Sequence, residues 1–331
     1  MAEDIAIELL KFLIFPGALF VVFWTVILSW WDRKVVARLQ NRIGPPLFPI
    51  PQPLYDIIKL LAKEDINPRE VDRYGFILAP AGLLVVALTT AFFVPVYQNW
   101  GIVSFEGDIF VLLFLLTIFG ALVLLMGWFS NNPYTLVGGG RAAAQELAFE
   151  IPLGLAFAAP IILTGKFRIS EISETMYESV KDHPAALIFL LILFGVALLS
   201  ITAILEKVPF DTPLDEMSIV GGWTAEYSGR KYGFITLAEL VLQFTLAGIL
   251  AALFFGGIPA EFAEDMDKEM IYVVSTVFFI IKTLVIVFLI AMVRALHGRL
   301  RIDQMMNMFW RWLVPLSLFC VLAIMGIVTY A

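Results

Sequence analysis

The chain has 331 residues, 60% of them hydrophobic and only 15% charged, with a mean hydropathy of +0.90. That balance belongs to an integral membrane protein and, with a net charge of −7, sets aside a role on nucleic acid. One cysteine (Cys320) and two distant histidines (His183, His297) cannot build a disulfide, a cysteine-ligated iron–sulfur cluster or a bis-histidine haem site within the chain, so no cofactor or metal is expected in it.

About 20 apolar residues cross a bilayer as a helix. Eight stretches reach that length: Leu9–Trp31, Phe76–Val96, Ile109–Trp128, Arg141–Leu163, Ala186–Leu205, Phe234–Phe255, Met270–Val293 and Met308–Thr329. The runs are continuous, without the alternation of a barrel strand, so the expected fold is all-α. It is a polytopic bundle of about eight transmembrane helices, forming one integral membrane domain over residues 1–331. A basic loop follows the first stretch, with no small-residue cleavage site, which argues against a cleaved signal peptide. No internal repeat of the secondary-transporter kind is visible.

Lys and Arg gather on cytoplasmic loops, and sixteen of the 22 basic residues fall on one set of loops if the N-terminus lies outside. The expected topology is therefore N-out and C-out, with cytoplasmic loops 32–74, 206–230 and 294–311. The opposite loops hold Lys166, Arg168, Lys181 and Lys268, and the stretch Glu261–Glu269 is acidic.

In chain order, the first cytoplasmic loop has a proline-rich turn over Gly44–Pro53. It continues as Leu54, Ile57, Ile58, Leu60 and Leu61 with Asp56, Lys59 and Lys63 between them. That spacing predicts an amphipathic helix lying in the membrane interface and stopped by Pro68. The fourth span should begin after Gly138-Gly139-Gly140 and carries Glu146 and Glu150 one turn apart, where like charges repel. Either both pair with basic residues of neighbouring helices, or at least one is held neutral and can exchange a proton. Pro152 and Gly154 should weaken the helix just beyond them. Glu206 closes the fifth span, either as a solvated helix end beside Lys207 or as part of a proton path. The acid- and proline-rich segment Glu206–Glu216 followed by Gly221-Gly222 reads as a shaped loop suited to docking a partner. Glu239 lies within the sixth span, and Lys282 sits about 18 Å by helical rise from either end of the seventh. Ionisable groups at such depth are costly and mark functional sites, so Glu146, Glu150, Glu206, Glu239 and Lys282 are ion-path candidates, with Lys282 a counter-charge for one of the glutamates.

Several motifs occur in one order along the chain. Asp32-Arg-Lys-Val, Arg42-Ile-Gly-Pro45, Gln52-Pro53-Leu and Lys59-Leu-Leu-Ala-Lys-Glu-Asp65 lie in the first loop. Arg141-Ala-Ala-Ala-Gln145 with Phe149-Glu150 lies in the fourth span. Pro209-Phe-Asp211, Glu226-Tyr-Ser-Gly229 and Leu237-Ala-Glu239 follow, then Arg294-Ala and Arg299-Leu-Arg-Ile-Asp-Gln304. This ordered set, covering Asp32 to Leu318, resembles the H-type membrane subunit of the respiratory complex I superfamily. The Gly44-Pro45-Pro46 turn and the short connection after it are most similar to the ferredoxin-linked relatives, the membrane-bound nickel–iron hydrogenases and sulfur reductases. Leu214 and Ser218 stand where family members usually carry glutamates, and Glu146 is extra.

The resemblance implies a membrane coupling subunit in a cell membrane, joining electron transfer to proton or sodium translocation. Soluble cluster-bearing subunits and hydrogenase-like large subunits, with iron–sulfur and nickel–iron centres of their own, and antiporter-like membrane subunits are the implied partners, besides the lipid bilayer. Arg38, Arg42, Asp211, Asp215, Glu216, Glu226, Arg294, Arg299, Arg301 and Asp303 are the implied docking residues. Two alternatives stand beside this reading: the quinone-chamber subunit of a quinone-reducing complex, and a stand-alone secondary transporter.

Overall fold

The computed structural model describes residues 13–47, 51–96, 102–258 and 268–330, and among them there are helices and turns but no strand. The helices are α1 (Ala18–Leu39), α2 (Gln52–Ala62), α3 (Arg73–Ala91), α4 (Asp108–Phe129), α5 (Pro133–Thr164), α6 (Ile169–Asp182), α7 (Ala186–Ile204), α8 (Gly229–Phe255), α9 (Lys268–Leu296) and α10 (Ile302–Tyr330). Seven of these, α3, α4, α5, α7, α8, α9 and α10, are long and apolar enough to cross a membrane. The chain is a multi-pass, all-helical membrane protein.

The first of the eight expected spans is displaced. Its first residues lie outside the described set, and the helix runs past Trp31 to Leu39, carrying Asp32, Arg33 and Lys34 in its body. A buried carboxylate is tolerated there because two cations, Lys207 and Arg294, reach it. The acidic stretch 261–269 falls outside the described residues apart from the backbone of its last two positions.

α8 is the central element. Of its most apolar window 78% is buried, against 28–50% in the other spans, and nearly every side chain from Val241 to Leu253 is enclosed. A helix that is apolar all round and buried all round can sit only inside a bundle. Around it pack α3, α6, α9, α2 and α1, while α4, α5, α7 and α10 continue the bundle on the α5 side.

α5 corrects one expectation: it starts at Pro133, not after Gly138–Gly140. Asn132 caps it by accepting from the Tyr134 amide at 3.0 Å, and Pro133 occupies the first helical position. The glycines are there for close approach. A Cβ on Gly138 would lie 2.5 Å from the Trp223 nitrogen and 2.7 Å from Gly222 Cα, so the 206–230 loop lies directly on the helix backbone. Nor do Pro152 and Pro160 break the helix, which runs unbroken over 32 residues. At 1.5 Å per residue that is about 48 Å, longer than the hydrocarbon core, so one end of α5 projects beyond it.

Two smaller elements frame the ends of α8. The amphipathic α2 forms as expected but ends at Ala62 rather than near Pro68, because Asp65 and Asn67 are held by Lys231 at the start of α8. α6 was not expected; its signal is the stripe Ile169, Ile172 and Met176, buried against the far end of α8.

The close packing at Gly138 gives a stability test. Gly138→Ala should destabilise the protein by about 1–3 kcal/mol, since the facing atoms are backbone and cannot move alone. Gly140→Ala, with nothing within 4 Å of the new methyl, should not. Equal thermal-unfolding midpoints for the two variants would show that the loop does not rest on α5 in this way.

Candidate functional site

Gln145 organises the site. Its side-chain amide donates to the carbonyls of Ala203 (2.7 Å) and Phe210 (2.9 Å), and its carbonyl accepts from the Thr212 hydroxyl (2.9 Å). Three bonds from one buried side chain tie the end of α7 and the following loop onto α5. The loop then folds as short turns, Thr212–Leu214, Glu216–Ile219 and Gly222–Thr224, which is the shaped segment its prolines and glycines call for. This brings Trp223 over the end of α7, where its indole donates to Glu206 at 2.9 Å. The Glu206 backbone is left-handed, with φ 47°, which turns its side chain off the α7 axis.

Glu206, Glu146 of α5 and Glu239 of α8 thereby line one cavity, closed by apolar residues such as Leu116, Phe119 and Leu242. It holds about 40 Å³ of water-accessible space, enough for roughly three waters. Room for Glu146 comes from α4, because a Cβ on Gly120 would overlap the Glu146 carboxylate. Three carboxylates from three separate elements thus line one small, mostly apolar chamber.

The remaining candidates divide. Glu150 does not line this cavity; it accepts from the Thr117 hydroxyl at 2.6 Å. Lys282 is not a counter-charge for the glutamates. Its ammonium donates to the carbonyls of Gly256 (2.6 Å), Phe255 (3.3 Å) and Gly257 (3.3 Å), at the far end of α8. Sixteen residues separate Glu239 from Phe255 on that helix, about 24 Å. Carbonyls at and just beyond the C-terminal end of α8 satisfy the lysine instead.

The cation that does approach the cavity is Lys207, next to Glu206 in sequence, and the position most easily dismissed as a solvated neighbour. It donates to Asp32 at 3.0 Å, and Arg294 reaches the same oxygen at 3.1 Å. Arg294 in turn lines an open cleft of about 590 Å³ with Arg33, Arg42, Arg299 and His297. A row of charges therefore runs from the cleft through Arg294, Asp32 and Lys207 to the carboxylate cavity.

Of the docking candidates, Arg299 pairs within the chain with Asp211 (2.7 Å) and Asp215 (2.9 Å), stitching the 206–230 loop to the segment before α10. Glu226 accepts from the Asn132 amide. Arg38, Arg42, Glu216, Arg301 and Asp303 are exposed. Among the described residues no group of three or more His, Cys, Asp or Glu side chains is placed to hold a metal ion.

This is the architecture of a polytopic membrane protein, a helical bundle whose shaped loop covers a cavity lined by carboxylates. The NADH dehydrogenase family model matches residues 12–325, and the chain belongs to that family. It is 36% identical over 310 residues to the H subunit of the NADH-quinone oxidoreductase of Brevibacillus brevis, covering 91% of this chain and 88% of that protein. To the corresponding H subunit of Bacteroides thetaiotaomicron it is 32% identical over 303 residues, covering 88% and 83%. A chain of the membrane-bound sulfane sulfur reductase, an archaeal respiratory membrane complex, superposes with a TM-score of 0.78 at 25% identity, covering 92% of this chain and 96% of that one.

Burial pushes the Glu206 carboxyl up to about 8, against which the Trp223 hydrogen bond pulls down. Its ordinary value is 4.5, so the folded state disfavours its ionised form, and stability falls as pH rises from about 4.5 to about 8. Glu206→Gln, which keeps the acceptor for Trp223, should remove that slope. The unfolding midpoint of the variant relative to the parent should climb across this window and level off above it. A pH-independent difference would mean that Glu206 is ionised throughout.

Proposed function

We propose that this chain is the membrane coupling subunit of a multi-subunit, ferredoxin-linked respiratory complex of the membrane-bound hydrogenase and sulfur-reductase type, seated in the cell membrane. Electron transfer runs on clusters in soluble partners, and the chain converts it into movement of protons or sodium ions. The observation that carries the reading is the row of charges joining the arginine cleft to the carboxylate cavity.

The coupling is electrostatic. A partner seated on the cleft changes charge as it is reduced or oxidised, and Arg294 feels the change first. Asp32 shares one oxygen between Arg294 and Lys207, so a weaker hold by one cation strengthens the hold of the other. Lys207 then moves toward or away from the cavity, shifting the proton affinity of Glu239 and Glu206. Antiporter-like membrane subunits on the α4–α5 side would accept the ion, with Glu146 and Glu150 as the groups leading outward. Arg38, Arg42, Arg299, Arg301, Asp211, Asp215, Glu216, Glu226 and Asp303 form the docking rim.

The likeness to H subunits of NADH-quinone oxidoreductases favours a second reading, in which the cleft beside the Arg42–Pro45 turn admits a quinone. Assaying the purified complex for ferredoxin oxidation with protons, quinone and polysulfide as acceptors separates the two. A stand-alone transporter does not fit a chain that matches a respiratory-subunit family over almost its whole length.

Glu239→Gln preserves shape and hydrogen bonding but cannot titrate. In vesicles of the assembled complex it should cut ion pumping by on the order of tenfold or more, with redox turnover slowed alongside it. Pumping at the parent rate would remove Glu239 from the path. For topology, Arg69→Cys should be labelled only from the cytoplasmic side of sealed cells and Glu178→Cys only from outside. Labelling of Arg69→Cys from outside would invert the arrangement.

A further inference from the structure

α10 is the most exposed of the spans: it packs on α5 and α7, and only 28% of its most apolar window is buried. Its buried seam runs through Met305, Phe309, Leu313 and Ser317, each four residues from the last. In a straight α-helix such a seam drifts by about 40° per step, and a wide π-type turn at Phe309–Leu313 takes up part of that drift. The turn keeps Phe309 and Leu313 on the bundle and leaves the three residues between them, Trp310, Arg311 and Trp312, on the outside. The two tryptophans are 47% and 68% exposed. Arg311 is exposed as well, and it forms no ion pair or hydrogen bond with any described residue. A cation on the outer surface of a span must take its counter-charge from outside the chain.

Depth and pattern locate that counter-charge. Trp312 and the exposed Tyr330 stand eighteen residues apart on α10, about 27 Å by helical rise. That is close to the ~30 Å hydrocarbon core, so they mark the two interfaces, where tryptophan and tyrosine gather. Along the outer face the side chains change character at Arg311. Asn307, one turn before it, is polar and exposed, whereas Leu318 and Leu322 beyond it are apolar and exposed. From Arg311 to Leu322 is about 16 Å, one leaflet of that core.

We propose that Asn307, Arg311 and the flanking indoles hold the headgroup phosphate of an anionic phospholipid, whose acyl chains lie along Leu318 and Leu322. Polar, then cationic, then apolar along one face is the order of a phospholipid with its headgroup outward and its chains inward. The guanidinium offers the phosphate two parallel N–H donors, the Asn307 amide adds another, and the indoles sit with their rings in the acyl region and their N–H groups toward the headgroup. The inner side of the same turn supports the loop over the carboxylate cavity, because Phe309 packs on Phe210 with ring centroids 5.5 Å apart. A lipid held at Arg311 fixes the depth at which α10 meets that loop.

Lipid binding reads the site directly and does not depend on the proposed function. Native mass spectrometry of the delipidated complex, titrated with phosphatidylglycerol or phosphatidylcholine, should show phosphatidylglycerol retained in preference. Arg311→Gln should weaken that retention by about fivefold, the worth of one basic residue beside anionic lipid. Lys63→Gln, which removes an exposed cation on another element, should leave the tightest-bound phosphatidylglycerol in place. Phosphatidylglycerol should also raise the unfolding midpoint of the parent more than that of Arg311→Gln. Trp312→Leu should weaken retention too, so the test survives if Arg311→Gln fails to assemble. A photo-crosslinking residue in place of Leu318 should capture lipid in the intact complex. Equal retention of the two lipids, or parent-like retention in both Arg311→Gln and Trp312→Leu, would overturn the proposal. So would full displacement by inorganic phosphate, which makes this a free-anion site, or a crosslink to another subunit, which makes the face a protein interface.

Discussion

Asp32 shares a single oxygen with Lys207 and Arg294, groups 175 and 262 residues further along the chain, and the loop side of the bundle is assembled around that contact. The carboxylate is 4% exposed. Removing one member of a buried ionic group leaves the others uncompensated at a cost of about 3–5 kcal/mol, although the intact group contributes little net stability over an apolar substitute. Its value is therefore in specificity: it fixes where α1, the end of α7 and the end of α9 meet. Burial holds the Lys207 ammonium below its ordinary value, with Asp32 opposing that shift.

Around that contact the chain uses backbone proximity rather than side-chain bulk. Gly120 concedes the volume that Glu146 fills, and Gly138 lets the loop lie on α5. Gln145 satisfies two backbone carbonyls and one hydroxyl, so the loop can be buried without orphaned polar groups at those positions. Arg299 closes the outer edge by pairing with Asp211 and Asp215. The result is a cover packed directly over a small cavity.

α8 runs from the loop side of the bundle to its far end. Its first turn is fixed by Lys231 on Asp65, its middle carries Glu239, and its last carbonyls hold Lys282. Between these points it is sheathed in apolar side chains, where electrostatic interactions are little screened. A bundle organised this way ties polar contacts to both ends of one central helix.

The helical, membrane-spanning character of the chain was legible in its sequence, because lipid permits few alternatives and apolar length is a local property. The exceptional status of Glu206 and Glu239 was equally legible, since charge in an apolar run is conspicuous wherever the run ends up. Partnership was not. Lys282 looked like a mate for a glutamate because charge types can be counted in sequence, but its mates are backbone carbonyls, which every residue has and no sequence marks. Lys207 entered the sequence reading only as the neighbour of Glu206, and only the return of α1 and α9 to the same spot made it the cation of the site. Glu150 has the credentials of Glu146 one turn away, yet the bundle turns one toward Thr117 and the other into the cavity. Composition and periodicity decide which segments enter the membrane and which charges are costly there. The angles at which helices cross, set by glycines and buried ion pairs far apart in the chain, decide which of those charges meet.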